Sequence, residues 1–315
     1  MKAIVYTEYG SPDVLHLKEI EKPTPKDNEV LVKVFASSIN RADWYLLKGE
    51  PFLLRLEAGI QKPKRIILGA DIAGQVEAIG KNVKDFKIGD EVFGDISACG
   101  WGGFAEYVSV KENALALKPA NITFEAAAST PMASVTALQG LRDKGQIHQN
   151  QNVLIYGASG GVGTWAVQVA KSFGTHVTAV CSTRNVEMVR SIGADDVIDY
   201  TKEDFIQRGK VYDLILGANG DRSLSDYKKA LTPNGIYVCT GGSMKQIFSS
   251  LIFGNKQVRN VSSKPNQKDL VFIQELLESE KVKPVIDKIY PLTELADAFR
   301  YFETGKVKGK VVISH

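Results

Sequence analysis

The sequence predicts an α/β protein with two domains, a mostly β domain first and a doubly wound parallel sheet after it. The chain has 315 residues, about the length of two average domains. Residues 1 to about 118 contain short runs of β-branched and aromatic residues, such as Glu29–Ser38 and Ile72–Ile79, separated by turn-forming residues. From about residue 150, short apolar runs alternate with amphipathic helical patterns. The first pattern is typical of an antiparallel barrel, the second of a parallel sheet with right-handed crossovers.

Each element predicted after about residue 150 is indicated by a local pattern of apolar residues. Asn152–Tyr156 is a short apolar run, as expected for a strand covered on both faces. Apolar residues from Val162 to Phe173 then recur at helical spacing, and His176–Val180 predicts the next strand. The remaining predicted elements are the strands Val197–Tyr200, Asp213–Leu216 and Ile236–Cys239, a helix around Leu270–Leu277, a strand Val285–Tyr290, a helix capped by Thr293 and a strand Lys310–Ser314.

Composition excludes several classes of protein. Hydrophobic residues make up 44% of the chain and charged residues 24%, which excludes intrinsic disorder and predicts a large core. The formal net charge of +3 is too small to indicate a nucleic-acid partner. The three cysteines are far apart, so neither a disulfide scaffold nor a zinc lobe is expected. No apolar stretch reaches the ~18 residues of a membrane span. We therefore expect a cytoplasmic, soluble protein.

A glycine-rich turn is the strongest functional motif. The run Gly157-Ala158-Ser159-Gly160-Gly161-Val162-Gly163 follows a predicted strand and opens a predicted helix. Glycine lacks a Cβ, so the backbone at Gly160 and Gly161 can approach a pyrophosphate, while Gly163 lets the helix pack closely on the strand. The start of the helix offers unpaired N–H groups and partial positive charge to phosphates. Dinucleotide binding is predicted at Ser159, Gly160, Gly161, Val162 and Gly163; the alternative is a glycine-rich turn without a ligand.

The end of the second predicted strand indicates which dinucleotide is expected. Folds that prefer NAD place an Asp or Glu about 20 residues after the glycine motif, where it binds both ribose hydroxyls. No acidic residue occurs between Gly163 and Val186. Ser182 and Arg184 instead offer a hydroxyl and a guanidinium to a 2′-phosphate. The sequence therefore predicts NADPH, with a merely solvated Arg184 as the alternative.

These motifs and the domain order resemble the medium-chain dehydrogenase/reductase superfamily, and within it the zinc-independent quinone oxidoreductase-like branch. The resemblance runs nearly end to end. Besides the glycine motif it includes Ser38–Asp43, Gly69–Gly74, Val83–Phe93, Gly102–Tyr107, Pro131–Leu138, Ser191–Tyr200 and Gly309–Val312. It implies a GroES-like, mostly β catalytic domain at 1–120, completed by 265–315, and a Rossmann NADPH-binding domain at 121–264.

Residue types at the metal positions of this superfamily argue against zinc. Zinc-dependent relatives have a Cys near the position of Asn40, a Gly-His-Glu where this chain has Gly69-Ala70-Asp71, and a later Cys. A catalytic zinc needs about three His, Cys or carboxylate ligands. None of the four histidines of this chain lies at a matching position. We therefore predict no metal.

Hydride transfer without a metal favours an acceptor that is already electron-poor. Quinones and double bonds conjugated to a carbonyl meet this condition, whereas alcohol oxidation requires a base or a Lewis acid to form the alkoxide. The predicted function is therefore NADPH-dependent reduction of a quinone or an α,β-unsaturated carbonyl. Two alternatives stay open: an enoyl reductase acting on an acyl or carrier-bound substrate, and an NADPH-binding protein or redox sensor with little turnover.

The resemblance also implies roles for individual residues. Asn40 and Asp43 are expected near the nicotinamide, and Tyr45 is expected to donate a hydrogen bond to the developing oxyanion. The structural alternatives are a turn for Asn40, a helix cap for Asp43 and a core position for Tyr45. Thr136 matches a position that contacts the nicotinamide side of the cofactor. Further cofactor contacts are predicted at the carboxyl ends of strands, namely Tyr200, Gly217, Ala218, Gly241 and Gly242.

The segment Lys48–Leu68 mixes apolar side chains with cations between two expected barrel elements. We interpret it as a lid over an apolar acceptor site. The alternative is a surface loop, or a short amphipathic helix for a partner or a membrane surface. The expected partners are a small electrophilic substrate and a second copy of the chain, because relatives commonly pair the edge strands of their Rossmann sheets. No nucleic acid and no membrane span are expected.

Overall fold

The computed structural model describes residues 1–218, 222–240 and 257–315. These residues form two compact units. Unit 1 comprises Met1–Met132, Pro265–Glu278 and Pro284–His315, and unit 2 comprises Ala133–Lys264 and Ser279–Lys283. The two ends of the chain therefore belong to the same unit.

The described elements are numbered in chain order. The strands are β1 (Lys2–Val5), β2 (His16–Glu19), β3 (Glu29–Ser38), β4 (Asp71–Ile79), β5 (Glu91–Asp95), β6 (Tyr107–Lys111), β7 (Leu115–Leu117), β8 (Asn152–Tyr156), β9 (His176–Cys181), β10 (Asp196–Asp199), β11 (Tyr212–Gly217), β12 (Leu231–Cys239), β13 (Val258–Asn260), β14 (Ile286–Pro291) and β15 (Lys310–Ser314). The helices are α1 (Arg41–Lys48), α2 (Leu54–Ala58), α3 (Phe124–Ala128), α4 (Pro131–Leu138), α5 (Gly161–Ser172), α6 (Val186–Ser191), α7 (Leu224–Lys229), α8 (Gln267–Glu278) and α9 (Leu295–Glu303).

Strand β3 is the centre of unit 1. It pairs antiparallel with β4, β6 and β15 in a seven-stranded sheet whose main order is β14-β15-β3-β4-β5-β7. Side chains two residues apart on β3 point to the same face, so Val30, Val32 and Val34 pack together with Ile72 and Val92 in one apolar cluster. This pairing places the end of β3, the start of β4 and the start of β15 side by side, and the polar residues of unit 1 collect there.

Helix α3 packs on the sheet of unit 1. Its residues Phe124, Ala127 and Ala128 contact the cluster that contains Ala36 and Val312. The sequence prediction assigned 121–132 to the Rossmann domain, whereas the contacts group these residues with unit 1. A short helical pattern shows that an element exists but does not show against which sheet it docks.

Unit 2 contains a six-stranded sheet in the order β10-β9-β8-β11-β12-β13, and every neighbouring pair is parallel. The strand order reverses between β8 and β11, which is the topological switch point where this architecture binds ligands. All carboxyl ends of the strands lie at one edge of the sheet. Helix α5 packs through Trp165, Ala166 and Val169, which are fully buried.

Candidate active site

The glycine-rich turn is held in place by the neighbouring strand. Strand β8 ends at Tyr156, and Gly157 then adopts a left-handed conformation with φ of 80°. The N–H groups of Gly157 and Ala158 donate to the carbonyl of Val180 on β9, at 3.1 and 3.0 Å. The turn therefore has a fixed shape before any ligand binds.

Two glycines of the motif serve different purposes. A Cβ at Gly163 would lie 2.1 Å from the carbonyl oxygen of Gly157, so the close approach of α5 to the turn requires glycine there. A Cβ at Gly160 would meet nothing nearer than 3.8 Å. The fold therefore leaves open space beside Gly160, at the N-terminus of α5, where the N–H groups of the first helical turn have no intrahelical acceptor. A phosphate group fits this arrangement.

The loop after β9 presents a hydroxyl and a guanidinium. Arg184 is exposed, and Ser182 is half-buried. The side-chain amide of the buried Asn185 donates to the Ser182 Oγ at 3.2 Å, which leaves the hydroxyl hydrogen of Ser182 available to an external acceptor. The Asn185 Oδ1 is buried and has no hydrogen-bond partner among the residues that the structure describes.

A carboxylate that the sequence analysis missed fixes this loop. Asp199, at the end of β10, accepts hydrogen bonds from the Thr183 hydroxyl at 2.6 Å and from the Thr201 hydroxyl at 2.7 Å. These hydrogen bonds, that of Thr183 first, lower the pKa of Asp199 to about 2. Because both its oxygens accept from protein groups, Asp199 holds the loop rather than facing a ribose. The sequence signal that could have identified Asp199 is an acidic residue at the end of the third strand of the parallel sheet.

Other predicted cofactor residues lie at the same edge of the sheet. Tyr200 follows β10 and is exposed, with its N–H bonded to the carbonyl of Cys181. Gly217 ends β11, and a Cβ there would lie 2.7 Å from the Tyr237 hydroxyl, so packing alone accounts for this glycine. Ala218 donates its N–H to Tyr156 at 2.9 Å, which ties the two strands of the switch point together. Thr136 is buried on α4. Gly241 and Gly242 lie outside the described residues.

Unit 1 contains a buried polar cluster around Asp71. The Asp71 Oδ2 accepts from the side-chain amide of Asn40 at 2.9 Å, from the Lys310 ammonium at 3.1 Å and from the Ser38 hydroxyl at 3.2 Å. Its Oδ1 accepts from the N–H of Met132 at 2.9 Å. Lys310 also donates to the Asn40 Oδ1. Asn40 is therefore fixed at both ends of its amide and retains one amide hydrogen for another acceptor.

Asp43 lies beside this cluster and is fully buried in α1. Its two carboxylate oxygens accept from the N–H of Asn40 at 2.7 Å and from the N–H of Gly69 at 2.9 Å. Burial raises the pKa of Asp43 to about 7, although these two N–H groups act in the opposite direction. The carboxylate caps the start of α1 and ties it to the chain before β4.

A second acid opposes Asp71 across the sheet. Asp95 on β5 lies directly opposite Asp71 in the strand register. Burial and, next, the negative charge of Asp71 raise the pKa of Asp95 to about 7. Lys310 offsets part of this repulsion, which explains how two acids occupy adjacent buried positions.

Tyr45 differs from Asn40 and Asp43. It is half-buried on α1, and its ring packs edge-on against Trp44 with centroids 5.3 Å apart. Among the residues that the structure describes, its hydroxyl forms no hydrogen bond. Of the three predicted catalytic residues, Tyr45 is thus the one whose polar atom is not used within the fold.

The donor set around Asp71 does not fit a zinc ion. Asn40 and Ala70 stand where the resemblance implies zinc ligands in zinc-dependent relatives, and the Lys310 ammonium already supplies positive charge to Asp71. No group of three His, Cys, Asp or Glu suited to a metal ion occurs in the described part of the chain. The absence of a metal stays a prediction, which elemental analysis tests.

Comparisons with known proteins identify the family. A model of the alcohol dehydrogenase GroES-like domain matches residues 26–120, and a model described as zinc-binding dehydrogenase matches residues 192–313. The chain is 35% identical over 331 residues to the chloroplast envelope quinone oxidoreductase homolog of Arabidopsis thaliana, covering 99% of this chain and 98% of that protein. It is 36% identical over 326 residues to the chloroplastic NADPH-dependent alkenal/one oxidoreductase of the same species, covering 99% and 79%.

A solved structure agrees over the whole chain. The quinone oxidoreductase from Coxiella burnetii superposes with a TM-score of 0.89 at 30% identity, covering 100% of this chain and 99% of that one. The chain belongs to the medium-chain dehydrogenase/reductase superfamily, in its zinc-independent quinone oxidoreductase-like branch. The predicted family and the predicted fold class, a GroES-like domain with a Rossmann domain, are confirmed.

Proposed function

We propose that this protein transfers hydride from NADPH to a quinone or an α,β-unsaturated carbonyl. The observation that carries the proposal is the open space beside Gly160, together with the Ser182 and Arg184 side chains after the adjacent strand. The names of the two Arabidopsis relatives, a quinone oxidoreductase homolog and an NADPH-dependent alkenal/one oxidoreductase, support both the cofactor and the acceptor class.

The residues of unit 2 bind and orient the cofactor. Gly160 and Gly161 would hold the pyrophosphate, since the start of α5 offers unpaired backbone N–H groups there. The Ser182 hydroxyl and the Arg184 guanidinium, whose fork geometry suits a phosphate, would hold the 2′-phosphate. Tyr200, Ala218 and Thr136 complete the predicted contacts.

The residues of unit 1 act on the acceptor. When bound, NADPH would supply the hydride, and the reduced acceptor takes up one proton from solvent, on an oxygen of a quinone or, through the enolate, on the α-carbon of an enone. Tyr45 donates its free hydroxyl to the acceptor oxygen and stabilises the charge that develops there. Asn40 offers its remaining amide hydrogen, while Asp43 fixes the start of α1 and so the position of both. Because a quinone or enone is already electron-poor, these neutral hydrogen-bond donors suffice.

Cofactor kinetics test the proposed 2′-phosphate site. The wild type is expected to prefer NADPH, and Arg184→Ala is expected to lower kcat/KM for NADPH by about 10- to 100-fold, since one charge-assisted bond contributes about 1.5–3 kcal/mol. The kcat/KM for NADH should stay the same. Arg190→Ala, which removes an exposed arginine of α6, is the matched control and should change neither. A wild-type preference for NADH contradicts the assignment.

An acceptor panel tests the reaction. NADPH oxidation is measured with a water-soluble benzoquinone, an alkenal and an enoyl thioester. Turnover of the first two supports the proposal, and Tyr45→Phe should then lower kcat, by about 10-fold or more, with little change in the KM for NADPH. Turnover of the thioester alone favours the enoyl reductase alternative. Binding of NADPH without turnover of any acceptor favours the sensor.

Assembly and location are separate predictions. We infer a homodimer formed through the outer strand β13, the last strand in the described sheet order, and light scattering on the purified protein tests it. The expected cytoplasmic location stays a prediction, whereas several relatives carry chloroplastic or mitochondrial names. Among the described residues no helix is long and apolar enough to cross a membrane.

A further inference from the structure

Exposed apolar side chains are concentrated in one short segment of unit 1. The described part of the chain has 13 large hydrophobic residues that are exposed, and five of them lie between residues 52 and 66. These five are Phe52, Leu53, Leu56, Ile60 and Ile66, and the first four are each 58–61% exposed. Single exposed apolar residues need no explanation, but such a concentration indicates an interaction surface.

Helix α2 has apolar residues on two opposite sides. The helical turn starts at Pro51, whose carbonyl accepts from the N–H of Leu54 at 2.8 Å. Residues three or four apart share one face of a helix, so Phe52 and Leu53 lie with Leu56 on the exposed face. Leu54 and Ala58 lie on the other face and pack into the core of unit 1. Apolar side chains on the side away from the core, next to the charged Arg55 and Glu57, are what a segment at a boundary between an apolar and a polar medium requires.

The segment is fixed to unit 1 by specific contacts. The Tyr9 hydroxyl donates to the carbonyl of Gly59 at 2.6 Å, at the end of α2. The Arg55 guanidinium lies over the Tyr9 ring at 4.5 Å, and its Nε donates to the carbonyl of Gly49 at 2.9 Å. These contacts hold the inner side of α2, so Leu56 on α2 and Phe52 and Leu53 in the turn before it face outward from an anchored segment.

Positive charge is concentrated in the same segment. Residues 48–66 contain five Lys or Arg and two Glu, a formal charge of +3, and the rest of the chain has 34 cations and 34 acids. The segment therefore carries the whole charge excess of the protein. Lys62 and Lys64 are exposed, and neither forms an ion pair within the described residues. Cations beside outward apolar side chains are the composition of segments that lie in the interface of an anionic membrane.

We propose that residues 51–66 dock this protein on an anionic lipid bilayer. Phe52, Leu53 and Leu56 enter the boundary between head groups and acyl chains, and Lys62 and Lys64 contact the acidic head groups. A second copy of the chain is a poorer occupant, because its equally charged segment would repel the first. The docking does not depend on the proposed activity.

Vesicle sedimentation tests the docking. The 315-residue chain is mixed with phosphatidylcholine vesicles, with or without phosphatidylglycerol. Each cation near an anionic surface contributes about fivefold in binding, so phosphatidylglycerol should tighten binding at least tenfold at low salt, and added salt should reverse this gain. F52S/L53S/L56S should lower the partition coefficient by about a hundredfold. K62Q/K64Q should lower it about 25-fold on vesicles with phosphatidylglycerol only.

Matched controls separate docking from folding. Ile88→Ser and Ile289→Ser remove exposed apolar residues outside the segment and should bind vesicles like the wild type. All variants should retain the wild-type Tm. Equal vesicle binding by F52S/L53S/L56S and the wild type overturns the proposal, as does equal binding with and without phosphatidylglycerol. Concentration-dependent self-association that this triple variant abolishes, without vesicle binding, identifies a second copy as the occupant and also overturns it.

Discussion

The polar cluster of unit 1 and the carboxyl edge of the unit 2 sheet differ in what their polar groups have left to bind. In unit 1, Asp71 accepts from four groups and both oxygens of Asp43 accept from backbone N–H groups. In unit 2, Gly160 faces open space and Arg184 is exposed. A buried network must satisfy its own members, because an unpaired polar group there is costly. A binding site instead keeps donors unpaired until the ligand arrives.

The same difference separates the roles of Asn40, Asp43 and Tyr45, which the sequence motif alone does not distinguish. Asn40 and Asp43 belong to a segment that resembles the catalytic motifs of the family, but their contacts fix the start of α1. Tyr45, two residues after Asp43, keeps a free hydroxyl. The cluster thus holds the segment from which the open groups act, namely the Tyr45 hydroxyl and the one remaining amide hydrogen of Asn40.

The largest expected effect is on the saturated side. Lys310→Met leaves the buried Asp71 carboxylate without its cation, so the free energy of unfolding should fall by about 3–5 kcal/mol in urea denaturation. K310M/D71N removes both charges and should recover most of this loss. Lys306→Met, at an exposed lysine of the same segment, is the control and should change stability little. Equal stability of Lys310→Met and the wild type would show that the ion pair of Lys310 with Asp71 does not stabilise the fold.

A pair of glycine variants compares the two functions of the turn. Gly163→Ala places a methyl group 2.1 Å from a carbonyl oxygen and should cost about 3 kcal/mol of stability. Gly160→Ala meets no atom nearer than 3.8 Å, so its stability should change by less than about 1 kcal/mol. Its Kd for NADPH, measured by fluorescence titration, should nevertheless rise at least about tenfold, because the methyl group occupies the approach of the pyrophosphate. Unchanged NADPH binding by Gly160→Ala contradicts the proposed position of the cofactor.

The sequence predicted the glycine turn, Ser182 and Arg184, and it offered a helix cap as the alternative for Asp43, but it did not predict the ion pair of Asp71 with Lys310. The glycine turn, Ser182 and Arg184 act through local geometry at the ends of strands, which a linear motif records. Lys310 reaches Asp71 and Asn40 across 239 and 270 residues of chain. Only the pairing of β15 with β3 brings these residues together, and no local pattern specifies that pairing. For the same reason α3 was assigned to the other domain, and Asp199 was missed because its partner Thr183 lies on a neighbouring strand end.

The next effect is a pH dependence of stability. The pKa of Asp95 is raised to about 7 in the folded protein. Between about pH 4 and 7 the folded state holds a proton that the unfolded state has released, so this group makes stability fall as the pH rises through that window. Asp95→Asn mimics the protonated form, keeps an oxygen for the N–H of Ser97 and removes the repulsion from Asp71.

The stability of Asp95→Asn relative to the wild type should therefore increase from pH 5 to pH 8, by on the order of 2 kcal/mol. Thermal unfolding across this range measures the difference. Asp27→Asn, which changes an exposed carboxylate of unit 1, is the control, and its stability should differ from that of the wild type by the same amount at every pH. A constant difference for Asp95→Asn would mean that the folded and unfolded states release its proton over the same pH range.

The smallest expected effect concerns Asn185, a buried residue beside the open site. Its amide donates to the Ser182 Oγ and so aims the hydroxyl hydrogen outward, toward the proposed 2′-phosphate. Asn185→Ala should raise the KM for NADPH about fivefold, because a misaimed hydroxyl loses about 1 kcal/mol of hydrogen bonding, and the KM for NADH should not change. Asn121→Ala removes one comparable hydrogen bond from unit 1, to the carbonyl of Leu277, and controls for a general loss of stability. If both variants raise both KM values alike, Asn185 is a structural residue. An increase in the KM for NADPH alone shows instead that a buried polar residue orients a hydrogen-bond donor at the carboxyl edge of the unit 2 sheet.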